Sequence, residues 1–157
     1  HDIGKSICDE DHHRQSRDMI INAAELQLDK KARIIVGLIA YYHRGALPNR
    51  SHKHYGRVDS ESRYYIKKLA ALLRLAEGLD ENHQSSVTNL SCHITEDNIM
   101  ICPEINGAFD SHRAIAKADL LEDVLNRKVI IIEQSEPALP STDSDFTDYL
   151  DYTDLPY

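Results

Sequence analysis

His1, Asp2, His12, His13, His43, Glu77 and Asp80 put imidazoles and carboxylates, natural ligands for a divalent metal, into one stretch of chain. A metal held this way activates water or polarises a phosphoryl oxygen for ester hydrolysis. An adjacent His-Asp pair reaches one metal from two directions only if other helices bring further ligands. The same residues would serve equally as polar links between helices, some of them binding substrate. A second set is basic: Arg44, Arg50, Lys53 and Arg57 lie with His43, His52 and His54 between Tyr41 and Arg57, without a single acid. Arg forks and Lys point charges are the usual readers of phosphate. This stretch reads either as a polyanion-binding segment or as a solvated basic loop. The chain contains no Walker loop, no G-x-S-x-G elbow and no G-x-G-x-x-G.

The net charge of −8 hides a polarised chain. From Leu28 to Lys68 there are ten Lys/Arg against three acids, a local balance of +7, while the remaining residues carry −15. That asymmetry suits an anionic partner, and Lys67 and Lys68 extend the basic set. Tyr41, Tyr42 and Tyr55 could stack on bases. With no nucleic-acid motif and an acidic remainder, however, nucleic acid is not the expected ligand. Gln134 to Tyr157 holds six acids, no Lys or Arg, and three prolines, the composition of a disordered acidic tail. Cys8, Cys92 and Cys102 form no C-x-x-C pair, which argues against a zinc ribbon or disulfide scaffold. They read as free, buried or half-buried thiols acting as small hydrophobes in a reducing cytoplasm. No apolar run approaches the ~20 residues of a membrane span.

The elements that must position these residues are mainly helices. Met19, Ile20, Ala23 and Ala24 mark a helix over about 12–26. Ile34, Ile35, Leu38, Ile39 and Tyr42 form one face of a second, stopped near Gly45. Ile66, Leu69, Ala70, Leu73 and Ala76 predict a third, capped by Asp59 or Ser60 with Glu61 in its first turn. After Gln84 the period changes. Leu90, Cys92 and Ile94 alternate with polar residues, Thr95–Asn98 is a turn cluster and Ile99–Cys102 a second apolar run, together a β-hairpin. Ala114, Ala118, Leu121 and Leu125 predict one helix over about 112–127, and Val129–Ile132 a buried strand. The expected architecture is mostly α: an HD-like helical bundle over 1–84, a small α+β (β-β-α-β) unit over 86–133, and the tail over 134–157.

Four segments, in order, resemble a known family. They are His1-Asp2-Ile3-Gly4, Asp11-His12-His13-Arg14-Gln15-Ser16, the stretch Ile39 to Pro48 containing Tyr41-Tyr42-His43-Arg44-Gly45, and Leu69 to Asp80 containing Arg74-Leu75-Ala76-Glu77-Gly78-Leu79-Asp80. They look like the landmarks of the C-terminal region of Ppx/GppA proteins, exopolyphosphatases and guanosine-pentaphosphate phosphatases. The resemblance is strong over 1–84 and weaker to about 134. It implies two actin-like lobes before His1, holding the family's hydrolytic Glu, its phosphate loop and its Mg²⁺; no cofactor is implied for the present residues. The C-terminal region is similar to HD phosphohydrolases and would contribute to a homodimer and to a basic path for polyphosphate or a (p)ppGpp-type polyanion. By charge, that role would fall on Arg44, Arg50, Lys53, Arg57, Lys67 and Lys68. Without the lobes, hydrolysis of polyphosphate is not expected. The chain departs from the family pattern at Glu77, where Asp is usual, and at Asp11, where Gly is usual. The competing reading is an independent HD-type metal-dependent phosphohydrolase acting on a nucleotide, with His1, Asp2, His12, His13, His43 and Glu77 as ligands.

Overall fold

The computed structural model describes residues 1–80 and 82–133; the tail expected over 134–157 lies outside the described residues. The order is a 3-10 turn (Ile3–Ser6), α1 (His12–Asn22), α2 (Lys30–Tyr42), a second 3-10 turn (Tyr55–Arg57), α3 (Ser60–Leu79), β1 (Val87–Ile94), β2 (Asn98–Ile105), α4 (Ser111–Ala116), α5 (Asp119–Leu125) and β3 (Lys128–Ile131). The architecture is therefore mixed α+β rather than mostly α: five α-helices and a three-stranded mixed sheet among the described residues. No described helix is long and apolar enough to cross a membrane.

Caps and stops set the helices. Asp29 caps α2 by accepting from Ala32 N at 2.7 Å, and Asp59 caps α3 by accepting from Ser62 N at 2.9 Å. Helix α2 ends before Gly45, whose φ of +70° is the left-handed conformation a helix exit favours. Helix α1 stops at Asn22, short of the expected 26. Ala23 leaves helical geometry (ψ 86°), and its carbonyl accepts from Arg33 of α2 instead.

The expected stripe on α3 is rotated from the real one. The helix buries Ile66, Ala70, Ala71, Arg74, Leu75, Gly78 and Leu79 and leaves Leu69 and Leu72 exposed. The small residues on the buried face are what let neighbouring elements approach. A Cβ on Gly78 would lie 2.8 Å from the Ala114 Cα of α4. The apolar core runs without a break from Leu38 and Tyr42 through α3 to Ile99, Ala114, Leu121 and Val129, so the helices and the sheet share it.

The hairpin is present: β1 pairs antiparallel with β2, with Cys92 opposite Ile101 and Ile94 opposite Ile99. Strand β3 then lies parallel to β2, which requires a crossover, and α4 and α5 supply it. The single helix expected over 112–127 is thus two short ones. Lys117 and Ala118 separate them, and Asp119, the first residue of α5, receives Arg74. The expected burial of Val129–Ile132 holds for Val129; Ile130 and Ile132 are exposed. Strand β1 lies at the sheet edge past the helical cover, so Leu90 and Ile94 are exposed although their partners Pro103 and Ile99 are buried. All three cysteines are free, but Cys8 and Cys92 are exposed rather than buried, and Cys102 is half-buried.

Candidate functional site

A close backbone approach brings His1 and Asp2 to the helices. Gly4 packs against α1 so tightly that a Cβ there would lie 2.2 Å from His12 O, and its N–H donates to the buried Ser16 Oγ at 2.9 Å. This sets His1-Asp2 over the start of α1, where His12 is buried, and over the end of α2, where His43 is fully buried. Glu77, on the last turns of α3, closes the fourth side and meets His1 Nε2 at 3.0 Å.

The protonation of the two buried rings follows from their partners. His12 Nδ1 donates to Asp9 O at 2.6 Å and His43 Nδ1 donates to Ala40 O at 2.5 Å, because carbonyls only accept. Arg44 Nη1, 3.5 Å from His12 Nδ1, is too distant to reverse that assignment. In the neutral rings both Nε2 atoms therefore carry lone pairs, and they face each other at 3.1 Å. Asp2 Oδ1 joins them, 3.2 Å from His12 Nε2 and 3.7 Å from His43 Nε2, and is itself buried without a hydrogen-bond donor. Burial pushes His43 down to about 4, against the pull of Ala40 O, Glu77 and Asp2. Burial alone would raise the Asp2 carboxyl; the Lys5 ammonium, helped by His12 and His43, overrides it and holds Asp2 below its ordinary value.

Three acceptors thus converge, with His1 Nε2, 3.4 Å from Asp2 Oδ1, the nearest donor, an arrangement that repels unless a cation or proton occupies it. The carbonyl-anchored Nδ1–H groups match the outer-shell bonds that orient metal-ligating histidines. The donor set fits a divalent ion, with the buried His12 and His43 and the half-buried Asp2 on one side and His1 and Glu77 on the open side. Its imidazole content suits a transition metal or zinc better than Mg²⁺. Two groups have ligand atoms within 4.8 Å of one another: His1, Asp2 and His43, and Asp2, Glu77 and His83.

Two expected ligands stand apart. The His13 ring lies against Tyr41, with centroids 5.4 Å apart. Asp80 Oδ1 accepts from Ser85 N and shapes the loop after α3.

Beside the histidines opens a pocket of about 390 Å³ lined by Lys5, Arg44, Arg74 and Lys117, with Asp9, His12, Glu77 and His83. Lys5 is engaged by Asp2 and Arg74 by Asp119. Among the described residues Arg44 and Lys117 have no carboxylate within ion-pair distance, although Asp9 and Glu77 line the same pocket. Reading the sequence missed Lys5, His83, Arg74 and Lys117. Only Arg74 left a signal, an Arg spaced four residues from Ala70 and from Gly78 on a buried face; the others meet through the fold.

The six basic residues expected to bind substrate are divided. Arg44 lines this pocket. Arg50 and Lys67 line a second one at the start of α3, and Lys53, Arg57 and Lys68 line neither. Lys67 Nζ also sits 3.1 Å from Asp123, and Lys68 Nζ lies 4.3 Å over the Tyr64 ring.

No curated protein matches the chain. A family model described as Ppx/GppA phosphatase, domain III, matches residues 1–124, which takes in α1 to α3, the hairpin and nearly all of α5. With that match over most of its length, the chain belongs to the Ppx/GppA phosphatase family.

Proposed function

We propose that this chain is the phosphate-binding C-terminal region of a polyphosphate or guanosine-pentaphosphate phosphatase, and that it takes phosphate groups into the pocket beside the histidines. One observation carries the reading: Arg44 and Lys117, neither paired with a carboxylate among the described residues, share a cavity with Lys5, Arg74 and the His12 cluster. A phosphate entering there gains charge-assisted bonds without first displacing an internal carboxylate from either side chain. Arg50, Lys53, Arg57, Lys67 and Lys68 extend the positive surface along which a long polyanion is drawn in. Binding of polyphosphate to the chain tests this. Arg44→Ala with Lys117→Ala should weaken it about a hundred-fold or more, since two hydrogen bonds to charged groups are lost and each is worth ~1.5–3 kcal/mol. Unchanged affinity would remove the pocket from the account.

The convergence of lone pairs supports a second reading, an HD-type metal phosphohydrolase. A divalent ion held by His12, His43 and Asp2 would supply Lewis-acid polarisation of a phosphoryl oxygen or a metal-activated water. The chain's own part would be to fix both imidazoles through their Nδ1–H bonds and to hold the phosphate with Arg44 and Lys117. Metal content after purification separates the readings. Stoichiometric metal, with phosphate release abolished by His12→Ala, favours hydrolysis; polyphosphate binding with neither leaves the binding role alone.

A further inference from the structure

The two carboxylate oxygens of Asp2 serve different partners. Oδ1 meets the His12 and His43 rings, while Oδ2 receives the Lys5 ammonium at 2.5 Å. The same ammonium lies 3.1 Å from His83 Nε2. An ammonium only donates, so Nε2 of the neutral His83 ring holds a lone pair aimed at it, and the ring proton sits on Nδ1. Glu77 completes the group: the ligand atoms of Asp2, Glu77 and His83 all lie within 4.8 Å of one another. Lone-pair donors from the N-terminal turn, the end of α3 and the loop after it thus gather about one tethered cation.

The loop holds His83 in place for this. His83 and Ser85 both take left-handed backbone, with φ of +50° and +51°, which is uncommon for residues that carry a side chain. Asp80 braces the turn, its carbonyl accepting from His83 N and its Oδ1 from Ser85 N, both at 2.8 Å. A surface ion pair between Lys5 and Asp2 needs no third partner from such a loop. Asp2 and Glu77 together bring two negative charges and Lys5 returns one, so a divalent ion balances the group where the ammonium does not. Lys5 is free to leave, because its side chain is 34% exposed and its stem is flexible.

We propose that Asp2, Glu77 and His83 form a divalent-metal site, distinct from the His12–His43 pair, which Lys5 fills as a stand-in cation and which an ion such as Mn²⁺ or Zn²⁺ takes by displacing it. Two carboxylates with one imidazole suit such an ion better than Mg²⁺. The pocket of about 390 Å³ lined by Glu77 and His83 leaves room for its remaining ligands. Asp2 is the one residue shared with the ring pair, and the new site does not require a metal there.

The test is titration of Co²⁺, whose visible absorption reports ligation, into the 157-residue chain, with affinities from calorimetry. Lys5→Met keeps an unbranched stem and removes the charge, so it should bind Co²⁺ roughly ten-fold more tightly than wild type or better, since no ammonium has to be displaced. Lys5→Arg keeps a cation and should bind no more tightly than wild type. In Lys5→Met/His83→Ala the gain should vanish. Lys5 and His83 are both exposed, so far-ultraviolet circular dichroism spectra identical to wild type are expected. No gain in Lys5→Met overturns the proposal. So does a gain that survives His83→Ala, which would belong to the ring pair, and so does an equal gain in Lys5→Arg. The ring pair is read separately: a single Co²⁺ in Lys5→Met, abolished by His83→Ala, supports this site and leaves the pair without metal, whereas a second ion indifferent to His83→Ala supports both.

Discussion

Arg74→Ala probes the brace that holds the end of α2 over the phosphate pocket. The side chain is 6% exposed. It donates to Tyr42 O and Gly45 O, both at 3.3 Å, and to the two Asp119 carboxylate oxygens, both at 3.2 Å. It thereby fixes the segment carrying His43 and Arg44 and ties α3 to α5. Asp119 is nearly half exposed, so solvent screens the ion pair and its share is at most about 1 kcal/mol. The larger share comes from two carbonyls losing a charged donor and from the packing of the buried stem. Together these give about 3 kcal/mol, which for a chain of this size lowers Tm by roughly 10 °C. Urea unfolding followed by circular dichroism measures it, with the midpoint falling and m unchanged. Asp119→Ala should cost about a third as much, because the guanidinium keeps its carbonyls. If Asp119→Ala costs as much as Arg74→Ala, or if Arg74→Ala costs under about 1 kcal/mol, the brace is not where the bonds place it.

Two further outcomes follow from the same geometry. Gly4→Ala places a Cβ 2.2 Å from His12 O and should displace residues 1–8 from α1; a crystal structure or hydrogen exchange should show Ser16 and His12 newly accessible, and refutation would be a backbone amide at position 4 as protected in the variant as in the wild type. For pH, His43 is neutral in the folded chain and pushed down to about 4 by burial, below its unfolded value of about 6.5. The unfolded state therefore binds the extra proton first, and the stability His43 contributes is complete above about pH 6.5 and lost as pH falls towards 4, up to roughly 3 kcal/mol. Asp2, held below its ordinary value once Lys5 overrides burial, adds a loss in the same direction at still lower pH. Urea midpoints from pH 8 to 4 should be level and then fall, and the fall should be shallower in His43→Phe.

Local signals in the sequence reached the structure where they depended on neighbours in the chain. The caps Asp29 and Asp59 differ only in that Asp59 was anticipated; it and the Gly45 stop act within one helical turn, and the Thr95–Asn98 turn closes through Thr95 N and Asn98 O at 2.8 Å. The face of α3 was misread because Leu residues lie on both sides of it, and its small residues, which decide where other elements approach, carry little hydrophobic signal. The split of the 112–127 helix has no Gly or Pro in the sequence to mark it. At the site, His1, Asp2, His12, His43 and Glu77 were legible because chemistry restricts which residue types can gather. Lys5, His83 and Lys117 were not, since lone surface charges become a pocket only when α3 and α4 cross at Gly78.

The salt dependence of polyphosphate binding tests the central proposal most directly. Arg44 and Lys117 are the pocket's cations without an ion-pair partner among the described residues, so removing both should release fewer counterions when the polyanion binds. In a plot of log affinity against log salt, the Arg44→Ala/Lys117→Ala variant should bind more weakly at low salt, with a slope flatter than wild type by roughly 1.5 units. A variant with wild-type affinity and slope would contradict the claim that phosphate is bound beside the histidines.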